Sequence, residues 1–315
     1  MTKETDYAIE VNQLTKRYGD LLAVDNISFT VRKGEVFAFL GPNGAGKTTT
    51  VEIIETIRTP TSGKVTLLGM DVTKKKQDIV HRIGVLPQGF SSFDRITVRE
   101  TIQYYSRLFS ANTDIDGLIE LVNLKDKANE QYKNLSGGLK QRLGIAIALV
   151  NDPEVVFLDE PTTGLDPRAR REVWEVLQGL KAKGKTVFLT THYMEEAELL
   201  ADRVAIISRG KVIAMGSPRE LIADNANYQV LTLQSVDENV FEIVRKMGFE
   251  PFFDNHNNIK VRVEQTDDIQ KILTAIKAGG ALYLGLDVRK PNLEEVFLKL
   301  TGEALLENPA DMEAK

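Results

Sequence analysis

Residues 41–48 form a glycine-rich loop, GPNGAGKT, between an apolar β-rich run that ends at Leu40 and a helical stretch predicted over Thr49–Ile57. The loop matches the pattern G-x-x-x-x-G-K-[ST] in full. Its glycines let consecutive main-chain N–H groups turn toward phosphate oxygens, and the helix that follows adds the positive end of its dipole. The sequence therefore predicts a nucleoside triphosphate site at this loop.

The side chains of the loop suit the same ligand. Lys47 would place its ammonium group against the β- and γ-phosphates, and the Thr48 hydroxyl would be one ligand of Mg²⁺. The other nucleotide-binding positions predicted in this segment are Gly41, Pro42, Asn43, Gly44, Ala45, Gly46 and Thr49.

A second apolar strand, predicted over Glu154–Leu158, runs into two acidic residues, Asp159 and Glu160. A carboxylate at the tip of a buried strand can hold the Mg²⁺ shell, and its neighbour can orient and deprotonate water. Together with the glycine loop, this pair indicates a P-loop NTPase that uses Mg²⁺.

The first 224 residues are predicted to form an α/β domain. Further buried strands at Thr186–Thr190 and Arg203–Ser208, separated by helical stretches, favour a mostly parallel sheet covered on both faces. A helical subdomain is expected at about 89–150, where Thr97 and Glu100 form a capping box. Strands of an antiparallel edge sheet are predicted at Ala8–Leu14, Ile27–Val31 and Lys64–Leu67.

The sequence changes character near residue 225. A polar run, ADNAN, is predicted as a linker, and strand-like and helix-like segments then alternate through 225–302 as a small α+β domain. Residues 303–315 read as a polar tail. The apolar stripe in the last helical segment is predicted to pack into the core of this domain and consists of Leu293, Val296, Phe297 and Leu300.

Composition excludes several other chemistries. The absence of cysteine rules out a disulfide scaffold and a thiol nucleophile, and three histidines make a histidine-rich metal site unexpected. A net charge of −5 lacks the basic excess of a nucleic-acid binder, so no nucleic-acid partner is expected. The longest apolar run, Leu143–Val150, is far shorter than the roughly 20 residues that cross a bilayer. We therefore expect an intracellular chain that reaches a membrane only through a partner.

Four further motifs indicate which kind of P-loop NTPase this chain is. They are Gln88 in VLPQG, the run LSGGLKQR at 135–142, Gly-Leu-Asp ending at Asp166, and His192 after TVFLTT. With these in place, the chain resembles the ATP-binding-cassette (ABC) ATPases, the motor subunits of ABC transporters, over residues 7–220. The resemblance implies that Tyr18 stacks on adenine.

The same resemblance assigns roles in hydrolysis. Glu160 matches the general base, His192 the residue that contacts the γ-phosphate, and Gln88 a residue that reaches both Mg²⁺ and the attacking water. Asp159 matches a metal ligand together with Thr48.

A second cassette is implied for the complete site. Ser136, Gly137 and Gly138 match the residues that bind the γ-phosphate of ATP held by the other copy, and Asp166 the residue that packs across the dimer interface. The motif departs from the family pattern at its fifth place, where Leu139 replaces the usual glutamine. The resemblance thus implies a homodimer, or a pair with a second ATPase subunit, in the ATP-bound state.

The ending at 284–302 resembles bacterial exporter ATPases of the multidrug, antibiotic and sodium efflux type, whose permease is a separate integral membrane subunit. Such a protein would lie in the cytoplasm, peripheral to the inner face of the cell membrane. Phe90 and Phe93, next to Gln88, are predicted either to line a groove for that permease or to pack inside the helical subdomain.

Other P-loop classes lack support. A DNA-maintenance ATPase needs long coiled-coil heptads between the ATP motifs, and the sequence has no such heptads. A translation-factor cassette protein normally carries two cassettes, whereas this sequence has one. A GTPase needs an N-K-x-D motif to recognise guanine, and that motif does not occur in the sequence. The ATPase of an importer shares every motif and remains an alternative, as does a non-transport ABC ATPase.

Overall fold

The chain divides into two units, the first ending at Pro218 and the second beginning at Arg219. The structure, a computed structural model, describes residues 6–225, 228–234, 238–254 and 257–301. The predicted tail at 303–315 lies outside the described residues.

Ten strands and seven helices of the first unit are described. The strands are β1 (Tyr7–Tyr18), β2 (Leu21–Arg32), β3 (Val36–Leu40), β4 (Ser62–Leu67), β5 (Met70–Asp71), β6 (Ile83–Leu86), β7 (Val155–Asp159), β8 (Thr186–Thr191), β9 (Arg203–Ser208) and β10 (Lys211–Gly216). The helices are α1 (Lys47–Ile54), α2 (Lys76–Val80), α3 (Val98–Leu108), α4 (Ile115–Leu121), α5 (Gly137–Ala148), α6 (Pro167–Ala182) and α7 (Met194–Leu200).

The central sheet has the strand order β10-β9-β3-β8-β7-β6. All neighbouring pairs are parallel except β10 with β9. Every residue of β3 and β8 is buried, which is the pattern of strands covered on both faces. The predicted α/β fold with a mostly parallel sheet is therefore confirmed.

The edge sheet is antiparallel, with the order β2-β1-β4-β5. Its strands β1 and β2 are longer than predicted, and bulges along their ladder let them bend while the inward side chains stay in the core. Phe29 from β2 contacts the rings of Phe37 and Phe39 in β3, so the two sheets share one apolar layer.

Helices α3, α4 and α5 pack together between β6 and β7 in the chain. The Thr97 side chain accepts from the backbone N–H of Glu100, and the Glu100 carboxylate accepts from that of Thr97, so the predicted capping box is present. Val98 and Ile102 are buried, and Tyr105 packs against the same cluster. Helix α3 thus buries one face against the helical core.

The second unit alternates helices and strands. Its elements are α8 (Pro218–Asn225), β11 (Gln229–Gln234), α9 (Glu238–Lys246), β12 (Phe252–Phe253), β13 (Ile259–Val263), α10 (Thr266–Ala278), β14 (Gly285–Arg289) and α11 (Leu293–Thr301). The strands form a four-stranded antiparallel sheet with the order β12-β13-β11-β14. Apolar side chains of the sheet pack against α9 and α10 in one core, and Leu293, Val296 and Phe297 of α11 are buried.

The polar run predicted as a linker differs from the structure. Helix α8 continues through Ala223 and Asp224 to Asn225. The Asn225 side chain donates to the carbonyl of Leu221, which is buried, so the polar residues extend a helix instead of leaving it. The last two residues of the run, 226 and 227, lie outside the described part. None of the described helices is long and apolar enough to cross a membrane.

Thr56, just after α1, has a backbone φ of 68°, in the left-handed region that β-branched residues avoid. Its buried hydroxyl has no hydrogen-bond partner among the described residues. We expect Thr56→Gly to raise the free energy of unfolding by about 1 kcal/mol, because the strain of this conformation exceeds the entropy that glycine adds to the unfolded chain. Urea unfolding measures the change. Asn123→Gly, at φ 54° where asparagine is tolerated, is the control and should give no gain; equal effects would contradict the explanation.

Glu55 caps the C-terminus of α1 and is 7% exposed. Burial, with the nearby carboxylates of Asp159 and Glu52, raises the pKa of Glu55 to about 8. Because the native chain holds this proton more tightly than the unfolded chain, the stabilisation is complete below the ordinary pKa of 4.5 and is lost as the pH rises through about 8.

Between pH 6 and pH 8 we expect the free energy of unfolding to fall by up to about 1.4 kcal/mol per pH unit from this group. Glu55→Gln should remove that part of the slope. Chemical unfolding of both proteins across this range is the measurement, and identical slopes would show that Glu55 does not titrate there.

Candidate functional site

The glycine loop begins where β3 ends and closes onto the N-terminus of α1. Gly46 has a φ of 103°, and a Cβ there would lie 2.5 Å from the carbonyl oxygen of Ala23. A Cβ at Gly41 would lie 2.3 Å from the carbonyl oxygen of Ile207. Both positions therefore require glycine, one for its backbone conformation and both for close packing against neighbouring main chain.

Lys47 is the first residue of α1 and is 5% exposed. Its ammonium group donates to the carbonyl oxygens of Gly41 at 2.7 Å and Pro42 at 3.2 Å, inside the loop. Nζ also lies 3.6 Å from Oε1 of Glu160. Burial lowers the pKa of Lys47, while the Glu160 and Asp159 carboxylates oppose that shift. The loop thus holds a positive charge at the place where phosphates are predicted.

Asp159 is the last residue of β7 and lies opposite Thr190 of β8 in the parallel ladder. The Thr190 hydroxyl donates to Oδ1 of Asp159. Burial raises the pKa of Asp159, and this hydrogen bond together with the Lys47 charge opposes the rise. The carboxylate is therefore positioned by the neighbouring strand on the Lys47 side of the sheet edge.

Glu160 leaves the strand with a φ of 48°. Its N–H donates to the carbonyl oxygen of Thr190 at 3.1 Å and lies 3.0 Å from the Thr190 hydroxyl oxygen. These contacts hold a backbone conformation that a non-glycine residue rarely adopts. The turn directs the carboxylate away from the line of β7.

Four side chains meet the Glu160 carboxylate. Oε2 accepts from Gln88 Nε2 at 3.3 Å and from the Thr163 hydroxyl at 3.1 Å. His192 Nδ1 lies 3.2 Å from the same oxygen. His192, followed by Lys47 and Thr163, holds the pKa of Glu160 below its usual value against the effect of burial. The lowered pKa favours the ionised form of Glu160.

Tyr18, at the end of β1, is 37% exposed. Lys16 Nζ lies 4.9 Å and the Arg58 guanidinium carbon 5.7 Å from the centre of its ring. These cations restrain the ring while part of it stays exposed, which is what stacking on a base requires.

Ser136 and Asp166 lie at the N-termini of α5 and α6. The Ser136 hydroxyl accepts from the N–H of Leu139, and the Asp166 carboxylate accepts from the N–H groups of Arg168 and Ala169. Their side chains therefore cap helices, and no contact within the described part of the chain joins them to the cluster around Lys47. Gly137 and Gly138 form the first turn of α5, and a Cβ at Gly138 would lie 2.7 Å from the Ala169 Cβ, so the two helix starts are packed closely.

The two phenylalanines near Gln88 have different environments. Phe90 packs against the helical core, with its ring 6.3 Å from that of Tyr132. Phe93 is 57% exposed and contacts the ring of Tyr104 edge to face. The core interpretation is therefore correct for Phe90, and only Phe93 lies on the surface.

Two site residues, Thr163 and Thr190, were not predicted. Thr163 follows the acidic pair at a distance of three residues, so the run EPTT was a usable signal. Thr190 could be found only from the pairing of β7 with β8.

Residues 24–163 match the ABC transporter family. The chain is 40% identical over 304 residues to the Nod factor export ATP-binding protein I of Rhizobium meliloti (strain 1021), covering 95% of this chain and 89% of the relative. It is 41% identical over 307 residues to the protein of the same name from Burkholderia pseudomallei (strain 1710b), covering 95% and 98%.

Solved structures of ATP-binding cassettes are also similar to this chain. An ATP-binding subunit of an ABC transporter superposes with a TM-score of 0.61 at 26% identity, covering 69% of this chain and 92% of that chain. A dimeric post-hydrolysis ATP-binding cassette, MJ0796 bound to ADP and Pi, superposes with a TM-score of 0.59 at 26% identity, covering 66% and 98%. The chain therefore belongs to the ABC transporter family, as an ATP-binding ATPase subunit of the exporter type.

Proposed function

We propose that the chain hydrolyses ATP at the glycine loop and uses the resulting motion to drive export through a separate membrane subunit. The observation that carries this proposal is the Glu160 carboxylate, which is held ionised between Lys47, Gln88 and His192. The names of the relatives, which refer to export, support the direction of transport.

ATP would bind with its phosphates in the loop. The Lys47 ammonium group would exchange the carbonyls of Gly41 and Pro42 for β- and γ-phosphate oxygens. Because α1 begins at Lys47, the positive end of its dipole would act on the same phosphates. The other loop residues proposed to bind nucleotide are Gly41, Pro42, Asn43, Gly44, Ala45, Gly46, Thr48 and Thr49. Tyr18 would stack on the adenine.

Magnesium fits the donors present. The Thr48 hydroxyl, the Asp159 carboxylate and the Gln88 amide oxygen are hard oxygen ligands of the kind that Mg²⁺ prefers. When bound, the ion would neutralise charge on the β- and γ-phosphates. The Thr190 hydroxyl occupies one lone pair of Asp159 Oδ1, so the carboxylate keeps acceptor capacity for this role.

Hydrolysis would proceed by in-line attack of water on the γ-phosphate. Glu160 would accept the proton of that water, and its low pKa and fixed orientation suit a base that must be ionised beforehand. His192 would contact the γ-phosphate and hold the water, and Gln88 would sense both ligands because it already touches Glu160.

A second ATPase subunit would complete each site. Ser136 and Gly137 are exposed at the N-terminus of α5, whereas Gly138 is buried behind them. A helix N-terminus suits a phosphate group, and no contact among the described residues joins these three positions to the Lys47 cluster of their own chain. We propose that they bind the γ-phosphate on the partner cassette, with Asp166 packed across the interface. The dimeric cassette among the similar structures supports this arrangement.

The membrane subunit would dock on an exposed apolar surface of the helical subdomain, formed by Phe93, Tyr104 and Leu108. Their exposed fractions are 57%, 47% and 65%. Tyr104 and Leu108 are one turn apart on α3, and Phe93 contacts Tyr104. Through this contact the protein would lie in the cytoplasm at the inner face of the membrane. The second unit would be an accessory domain of the same subunit.

Glu160→Gln should lower the rate of ATP hydrolysis by about 100-fold or more, because the amide cannot accept the proton, while ATP affinity stays near that of the wild type. Phosphate release and nucleotide binding by fluorescence titration are the two measurements. Glu154→Gln, at the other end of the β7 segment and exposed, is the matched control and should keep the wild-type rate. If Glu160→Gln hydrolyses ATP at the wild-type rate, Glu160 is not the general base.

Phe93→Asp and Leu108→Asp should each reduce recovery of a co-expressed permease from detergent extracts, because a charge would be buried at the contact. Leu21→Asp, at an equally exposed leucine of the edge sheet, is the control. All three variants should bind ATP. If both test variants recover as much permease as the control, the docking surface lies elsewhere.

A further inference from the structure

Glu196 of α7 is a carboxyl group with no exposed surface, four residues after His192. Its Oε1 accepts from the Thr162 hydroxyl at 2.9 Å and from the Trp174 indole N–H at 3.0 Å. Thr162 belongs to the loop that leads from Glu160 to α6, and Trp174 belongs to α6 itself. One buried oxygen therefore joins three separate segments of the chain.

The two threonines of that loop face different carboxylates. The Thr163 hydroxyl donates to Glu160 Oε2 at 3.1 Å, whereas its neighbour Thr162 donates to Glu196. The peptide between them is thus held at both ends. A shift of the Thr162 anchor would move the Thr163 hydroxyl and, with it, one of the contacts that orient Glu160.

A second route from α6 reaches the other side of the site. The guanidinium carbon of Arg170, one turn before Trp174, lies 4.4 Å from the centre of the Tyr193 ring. The Tyr193 ring centre lies 4.2 Å from that of His192, whose Nδ1 is 3.2 Å from the Glu160 carboxylate. Helix α6 therefore contacts the His192 turn through Tyr193 and again through Glu196.

A carboxyl group at this place costs stability. Burial raises the pKa of Glu196, and the neighbouring Thr191 hydroxyl, the Thr162 hydroxyl and the Trp174 indole N–H oppose the rise. Oε2 has no hydrogen-bond partner among the described residues. Because an apolar side chain of the same length would fill the space without this desolvation, the acceptor oxygen must be explained by what it positions.

We propose that Glu196 is a positioning residue for hydrolysis, which fixes the Thr162–Thr163 loop against α6 and α7 and so sets the Glu160 carboxylate relative to His192. The proposal rests on the roles proposed above for Glu160 and His192. It concerns geometry alone, since Glu196 does not touch Lys47 or the glycine loop in any described contact.

Glu196→Met and Thr162→Val each delete one side of the central hydrogen bond in the full-length protein. We expect either change to lower kcat by between about 10-fold and about 100-fold, the effect of small misplacements of a catalytic group. The Kd for ATP should remain at the wild-type value, because the loop at 41–48 is not altered. Steady-state ATPase assays and nucleotide titrations measure the two quantities.

Thr101→Val is the matched control. Thr101 is as buried as Thr162, and its hydroxyl donates to a backbone carbonyl, that of Thr97, at 2.7 Å. The chemical change and the loss of one buried hydrogen bond are the same, so both variants should lower Tm to a similar extent. Only Thr162→Val should lower kcat when both are assayed well below Tm.

Glu196→Gln tests the role by rescue. Its amide oxygen can still accept from Thr162 and Trp174, so kcat should stay within about threefold of the wild type, in contrast to Glu196→Met. If Glu196→Met does not fold, the comparison of kcat between Thr162→Val and Thr101→Val is sufficient to test the positioning role.

The proposal is overturned if Thr162→Val keeps the wild-type kcat, or if Thr101→Val loses as much activity. Glu160→Gln separates this outcome from a failure of the proposed function. If Glu160→Gln abolishes turnover while Thr162→Val does not, only the positioning role of Glu196 is wrong. If Glu160→Gln hydrolyses ATP at the wild-type rate, the proposed role of Glu160 as general base is wrong, and the positioning role of Glu196 falls with it.

Discussion

A buried ammonium group facing two carboxylates is the interaction on which the site depends. Transfer of the charged groups of Lys47, Asp159 and Glu160 out of water costs several kcal/mol of desolvation free energy for each charge. Their mutual attraction, together with a few hydrogen bonds, offsets that cost. The loop carbonyls of Gly41 and Pro42 complete the ammonium coordination. Under the proposed function, phosphate oxygens of ATP would take the place of these carbonyls at the ammonium group.

The parallel sheet places these charges together. Strands β3, β7 and β8 are adjacent or one strand apart, and their carboxyl ends lie at one edge. The glycine loop, the acidic pair and His192 follow those three ends in turn. Helix α6 then packs against α7 from the side, where Trp174 and Arg170 contact Glu196 and Tyr193. The catalytic edge is therefore supported by a polar contact network inside an otherwise apolar layer.

Most strands were predictable because long apolar runs are flanked by turn residues, and β9 was predicted with its observed ends. Strand β6 was missed because it is four residues long and contains Gly84, which usually marks a break. In the structure a Cβ at Gly84 would lie 1.8 Å from the carbonyl oxygen of Ala148, so the glycine lets α5 end against the strand. Strand β10 was missed because its half-exposed residues lack an apolar run.

The sequence by itself determined the phosphate-binding loop and the acidic pair, because each is a contiguous run whose chemistry depends on neighbours in the chain. The tertiary structure alone decided which distant side chains complete them. Thr190 contacts Asp159 only because β7 and β8 are adjacent, and Glu196 reaches Thr162 only because α6 and α7 pack together. Such contacts depend on strand order and helix packing, which arise from burial of the whole core and leave no local pattern in the sequence.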